Sequence, residues 1–211
     1  MSVFDDISLL VQQGKHRDIA AVVQGALDDG ASAQQVLDNG LLAGMAVVGD
    51  KFKNNKMFVP EVMIAAKALS AGVEILRPLL ASEGVEGIGK IVICTVEGDL
   101  HDIGKNLVKL MMEGIGFECF DLGADVKTEA IIAKVKEVNP QVVALSAMLT
   151  TTMGQMARVI ESLKAEGLRD NVKVLIGGTP ISEKYCHDIG ADMYAIDAAS
   201  AAEAAVALVG K

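Results

Sequence analysis

Residues 90–106 read KIVICTVEGDLHDIGKN. Lys90–Val96 is a short apolar, β-branched run of the kind that makes a buried strand. A polar loop with one glycine follows, and from Ile103 to Gly114 the apolar residues recur at helical spacing. This is one strand–loop–helix unit, and the chain repeats it. Gln141–Ser146 (QVVALS) and Lys173–Ile176 (KVLI) are further strands, and Glu118–Leu122 and Met193–Ile196 are weaker ones. Helical segments Thr128–Val138, Met153–Glu166, Ser182–Ile189 and Ala198–Leu208 alternate with them. Alternation of this kind predicts an α/β fold: a Rossmann- or flavodoxin-like doubly wound domain with a five-stranded parallel sheet covered on both faces. Ligands in such sheets bind outside the carboxyl ends of the strands, which directs attention to residues 97–104.

Upstream the pattern is helical only. Phe4–Gln13 and Arg17–Leu27 are amphipathic segments around Gly14. Ser32 is a good N-cap for a third helix running to about Lys53, where Asn54-Asn55 breaks it. Pro60 suits the first position of a fourth helix, with Glu61 placed to complement the dipole. Four helices on short loops predict a bundle. Glu83–Gly89 (EGVEGIG) reads as a linker. The expected domains are a helical bundle cap at 1–85 and an α/β domain at 86–211.

Half the residues are hydrophobic and only 3% aromatic, so the cores must be built from Ala, Val, Ile, Leu and ten Met. The net charge of −9 argues against a nucleic-acid partner, which needs clustered Lys and Arg. No apolar run is long enough for a membrane span, and Met1–Asp6 lacks a basic export segment. Three widely spaced cysteines, Cys94, Cys119 and Cys186, suit a reducing cytoplasm without disulfides.

The loop after the first strand holds His101 with Asp99 two residues before it. A carboxylate beside a histidine fixes the ring tautomer and leaves the other nitrogen free as base or metal ligand. Gly98 allows an unusual backbone angle, and Gly104 leaves room for a bulky group. Asp99-x-His101-x-x-Gly104 resembles the DxHxxG signature of cobalamin-binding domains of the methionine synthase type. Two later elements extend the likeness. The family's Ser-x-Leu appears as Ser146-Ala147-Met148, followed by Leu149-Thr150, and its glycine pair as Gly177-Gly178. The segments 44–52 and 57–62 resemble the family's helical cap, so the likeness spans nearly the whole chain. It is closest to the stand-alone corrinoid proteins of three-component methyltransferase systems.

The resemblance implies a cobalamin or related corrinoid bound base-off/His-on, with His101 as the axial cobalt ligand. It implies that Asp99 and Ser146 stand in series behind His101 and tune its binding and release. The nucleotide tail would run past Gly98, Asp102, Ile103, Gly104, Ser146, Met148, Thr150, Gly177 and Gly178. Met45, Val48 and Phe52 would cover the upper face. The implied partners are a substrate-specific methyltransferase (for methanol, methylamines, glycine betaine or aryl methyl ethers), a second methyltransferase using tetrahydrofolate or a thiol, and a reductive activation protein. On this reading the chain is a methyl carrier, not a catalyst on its own.

Other readings compete. An Asp-x-His pair in a loop is usually surface hydrogen bonding, Ser146 could cap the next helix, and Gly177-Gly178 could be an ordinary turn. A receiver-type switch would need an Asp where Ser146 stands. A cobalamin-sensing transcription factor would need a basic domain, and a mutase a large barrel. A corrinoid storage or delivery protein without methyl transfer is the main alternative.

Overall fold

Ser2 caps the first helix by accepting from the Asp5 N–H at 3.2 Å while Asp5 accepts from the Ser2 N–H at 2.7 Å, a capping box. In the computed structural model, which describes residues 2–82 and 88–210, this opens α1 (Val3–Gln12). Helix α2 (Ile19–Asp28) follows. Ser32 forms a second capping box with Gln35, as the sequence suggested, and starts α3 (Ala33–Val36). The helical path then widens into a π segment, Leu37–Leu42, before α4 (Ala43–Lys53). The expected single helix is thus interrupted. Helix α1 crosses closely here: an added Cβ would stand 2.8 Å from the Ile7 side chain at Gly40 and 2.8 Å from Ser8 O at Gly44. Helix α5 (Val59–Ser82) begins one residue before Pro60. Its Glu61 carboxylate accepts from the Phe58 N–H at 2.8 Å and completes the start. Ile7, Val11, Ile19, Val23, Leu41, Val62, Leu69 and Leu76 form the buried centre of this helical unit.

The chain divides into two compact units, Met1–Glu86 and Gly87–Lys211. Of the expected linker, residues 83–87 lie outside the described residues.

The second unit runs β1 (Gly89–Thr95), α6 (Ile103–Gly114), β2 (Phe117–Asp121), α7 (Thr128–Val138), β3 (Val142–Ser146), α8 (Gly154–Ala165), β4 (Lys173–Gly177), α9 (Glu183–Ile189), β5 (Met193–Ala195) and α10 (Ala198–Leu208). All pairings are parallel, in the order β2-β1-β3-β4-β5. Side chains alternate across the sheet. Val92, Cys94, Val143, Leu145, Val174 and Ile176 pack against α7, α8 and α9. Ile91, Ile93, Val142, Ala144 and Leu175 face α6 and the alanine-rich α10. Each fully buried Val, Ile or Leu contributes about 1.5–3 kcal/mol. The connections leave β1 and β3 in opposite directions, so the switch point lies at the carboxyl ends of these two neighbours. Among the described residues, no helix is long and apolar enough to cross a membrane.

Candidate functional site

The loops after β1 and β3 meet at one buried carboxylate. Asp99 has no exposed surface. Its Oδ1 accepts from the His101 ring Nδ1 at 2.7 Å and from the His101 N–H at 3.1 Å. Its Oδ2 accepts from the Met148 N–H at 2.7 Å, the Leu149 N–H at 3.2 Å and the Thr152 hydroxyl at 2.8 Å. Burial works against the charge, but the Met148, His101 and Thr152 hydrogen bonds outweigh it and hold the carboxyl well below the usual range. An ionised Asp99 is acceptor-only, so the proton between the pair sits on Nδ1. The lone pair of Nε2 is then free, on a side chain that is 55% exposed.

The loop carrying His101 is pinned at several further points. The Thr95 hydroxyl donates to His101 O at 2.9 Å. The Gly98 N–H donates to Asp125 Oδ1 at 2.7 Å, and Gly98 has φ +82°. Below the loop, Lys105 is buried in the first turn of α6, with its ammonium 2.6 Å and 2.7 Å from the two Asp121 oxygens at the end of β2. Asp102 occupies the N-cap of α6 without a side-chain cap bond and accepts from Asn106 Nδ2 at 3.2 Å.

The expected series of Asp99 and Ser146 needs correction. Ser146 does not bond Asp99; the hydroxyl on Asp99 belongs to Thr152. Pleating explains the difference. Ser146 follows Val142 and Ala144 on the α6/α10 face, where it lies in register with Thr95 and Gly177. Thr152 lies in the turn between β3 and α8, which brings its side chain back over the β1 loop. The only hint of it in the sequence is a run of three threonines, 150–152, of which Thr150 is exposed. Asp125 also went unread, because nothing in its local pattern marks a residue that reaches back to Gly98.

Met45 and Val48 are corrected as well. They are 1% and 0% exposed on the buried stripe of α4, and Phe52 is half-buried, so the first two present no surface to a ligand. The large apolar side chains exposed at the carboxyl end of the sheet are Leu100, Ile103, Met148, Leu149 and Ile196. The glycines play different parts. An added Cβ at Gly104 would meet nothing within 4 Å, so no protein neighbour demands glycine there. At Gly178, with φ +126°, it would stand 1.8 Å from Ala147 O, so the fold itself excludes a side chain. At Gly177 it would stand 3.1 Å from Ala195 O.

The cysteines are free. Burial pushes the Cys94 and Cys119 thiols up to about 12, which makes them inert core groups. Among the described residues no three His, Cys, Asp or Glu side chains are arranged to hold a bare ion. A groove of about 340 Å³ between α7 and α8, bordered by Glu97, Glu129, Arg158 and Glu161, contains none of the expected site residues. The donor set therefore fits a metal that arrives already ringed by its own ligands and takes one imidazole from the protein. The open side of Gly104 and the exposed apolar side chains leave space for a bound group at this end of the sheet.

Comparison with known proteins agrees with this chemistry. Residues 89–207 match the family model described as a B12 binding domain, and residues 3–77 match a second model with the same description. A corrinoid protein of Desulfitobacterium hafniense is 41% identical, over 100% of this chain and 99% of its own length. The dimethylamine corrinoid protein of Methanosarcina barkeri is 46% identical over 89% of this chain and 88% of its own length. The crystal structure of the methanol:cobalamin methyltransferase complex of Methanosarcina barkeri superposes with a TM-score of 0.85 at 28% identity, covering 99% of this chain and 80% of that one.

Proposed function

Because the chain belongs to the B12-binding domain family, with a cobalamin or related corrinoid as its cofactor, we propose that it is a methyl carrier whose His101 is the lower ligand to cobalt. The observation that carries this is the imidazole itself: Nδ1 held by a buried carboxylate at 2.7 Å, Nε2 free at the carboxyl end of the sheet. The bound corrinoid supplies a cobalt that can take up and give up a methyl group. The chain supplies everything that orients and adjusts it.

Asp99 keeps the Nδ1 proton in place and so fixes the tautomer and orientation of the ring, as carboxylate partners of ligating histidines do. The Thr152 hydroxyl, 2.8 Å from Asp99 and 3.0 Å from Leu149 O, can turn its proton to either acceptor. It thereby adjusts how much charge Asp99 offers to the imidazole. With a corrinoid bound, this adjustment would let His101 hold cobalt more or less firmly, as a carrier requires. Gly104 and the half-buried Ser146 leave room for the tail of the cofactor, and Leu100 and Ile103 offer it apolar contact.

The proposed partners are a substrate-specific methyltransferase, a second methyltransferase acting on tetrahydrofolate or a thiol, and a reductive activation protein. Relatives named as dimethylamine and trimethylamine corrinoid proteins and the likeness to a methanol:cobalamin methyltransferase complex support a methylated one-carbon donor. To test the role, the chain is loaded with cobalamin, reduced, and mixed with a methanol- or methylamine-specific methyltransferase and its donor. Appearance of the methylcobalamin spectrum is expected. Stable loading without methylation by any donor enzyme would favour a storage or delivery protein instead.

A further inference from the structure

We infer that Asp125 is a positioning residue for His101, clamping the backbone of Gly98 and Asp99 from the β2–α7 connection. The inference rests on the reading of His101 as the cobalt ligand. Two hydrogen bonds form the clamp. The Gly98 N–H donates to Asp125 Oδ1 at 2.7 Å, and the Asp125 N–H donates to Asp99 O at 2.9 Å. They close a reciprocal ring across two loops distant in sequence.

The backbone marks the same residue. Among the described residues, three that are not glycine have positive φ: Asn55, Asp125 and Asn139. Asn139 is the C-cap of α7, and Asn55 follows the C-cap of α4, places where a left-handed residue is ordinary. Asp125, at φ +55°, follows no helix. A left-handed residue outside a cap persists only where its surroundings hold it, and such residues gather at functional sites. Here the neighbours do so: Thr95 N–H donates to Gly123 O at 2.9 Å, and Val126 pairs with Val96, so residues 123–126 accompany β1 beyond its end. Gly98 meets Asp125 with its own positive φ of +82°.

The clamp acts on the residue that holds the ligand. Asp99 O is fixed by Asp125, and Asp99 Oδ1 fixes the His101 ring. Asp125 itself is exposed and touches no core cluster. Water can replace the acceptor of an exposed hydrogen bond, so losing this one leaves no buried donor unsatisfied, and what it supplies is the loop geometry it sets.

The test compares wild type, Asp125→Gly and Asp125→Asn. Glycine accepts the left-handed backbone and keeps the N–H to Asp99, but deletes the acceptor for Gly98. Asparagine keeps both the acceptor and the tolerance for positive φ. Each protein is measured first without cofactor, by thermal melting and by amide hydrogen exchange at Gly98. It is then loaded with hydroxocobalamin, desalted, and its visible spectrum and retained cobalamin are recorded. In Asp125→Gly, melting close to wild type is expected, with Gly98 exchange faster by about tenfold or more, retention lower by about tenfold and a spectrum shifted towards loss of the histidine ligand. Asp125→Asn should return to near wild type in every measure. If Asp125→Gly matches wild type in exchange and spectrum, the clamp is dispensable and the inference fails while the carrier reading stands. It fails equally if the cofactor-free glycine variant melts far below wild type, which would make Asp125 a fold element, or if asparagine does not rescue. A wild type that leaves the column colourless overturns the carrier reading and this inference with it.

Discussion

Asp99 keeps its charge without solvent because five hydrogen-bond donors face its two oxygens. Three of them are backbone N–H groups, which no substitution of a side chain removes. Thr152 is therefore the point at which the site can be loosened in steps. Thr152→Val keeps the shape and deletes the hydroxyl. Losing a hydrogen bond to a charged group costs about 1.5–3 kcal/mol, and urea unfolding of the cofactor-free protein should show a loss of that size, with Thr152→Ser close to wild type. At this scale the sequence was legible in part. Asp99 and His101 declare themselves because they sit two residues apart in one loop. Thr152 does not, because its partner lies 53 residues away. Ser146 drew the eye by resemblance, but strand pleating turns it to the other face. Met45 and Val48 read as a surface from a family pattern, whereas their helical spacing already placed them with the core.

At the scale of elements, the two site glycines give opposite expectations. Gly178→Ala drives a Cβ into Ala147 O at a φ of +126°. The two strand ends must then separate, with a loss of about 3 kcal/mol visible as a lowered melting temperature. Gly104→Ala meets nothing within 4 Å in the first turn of α6. Helix propensity should make it about 0.5–1 kcal/mol more stable without cofactor, while Gly104→Phe should fold yet retain far less cobalamin. The Lys105–Asp121 pair ties α6 to β2 and sets a pH dependence. Burial disfavours the Asp121 charge, but the hydrogen bond and charge of Lys105 and the Gly123 N–H prevail and lower its pKa. A lowered carboxyl contributes stability that is fully present above its unfolded value of about 3.9 and is lost as the pH falls through the folded value. Asp121→Asn removes the charge opposite the buried Lys105 ammonium, which keeps its hydrogen bond to Asn106 Oδ1 at 2.7 Å, and should cost about 1–3 kcal/mol at pH 7. The gap to wild type should narrow when unfolding is repeated below pH 4, and a gap independent of pH would count against the pair. Strands and helices of the second unit were legible to within a residue or two, because strand-length apolar runs alternate there with helical periods. The π segment was not, since Leu37–Leu42 lies where α1 passes close to Gly40 and Gly44, a contact that local pattern does not encode.

At the scale of the molecule, the chain divides into two units, one with helices only and one with alternating strand and helix, a change of pattern that the sequence displays openly. Strand order was not displayed, yet it decides the site: only because β3 lies beside β1 do the loops of both converge on Asp99. The central claim is that this convergence presents His101 to cobalt. It is tested most directly by growing the protein with histidine labelled uniformly with ¹⁵N, loading it with cobalamin, reducing to the one-electron paramagnetic cobalt state and recording the electron paramagnetic resonance spectrum. A natural-abundance nitrogen below cobalt splits each line into three, and ¹⁵N splits it into two. Doublets in the labelled protein, reverting to a spectrum without histidine splitting in His101→Ala, are the predicted result. Triplets that survive the labelling would mean that the cofactor's own base holds the lower position, and would contradict the account.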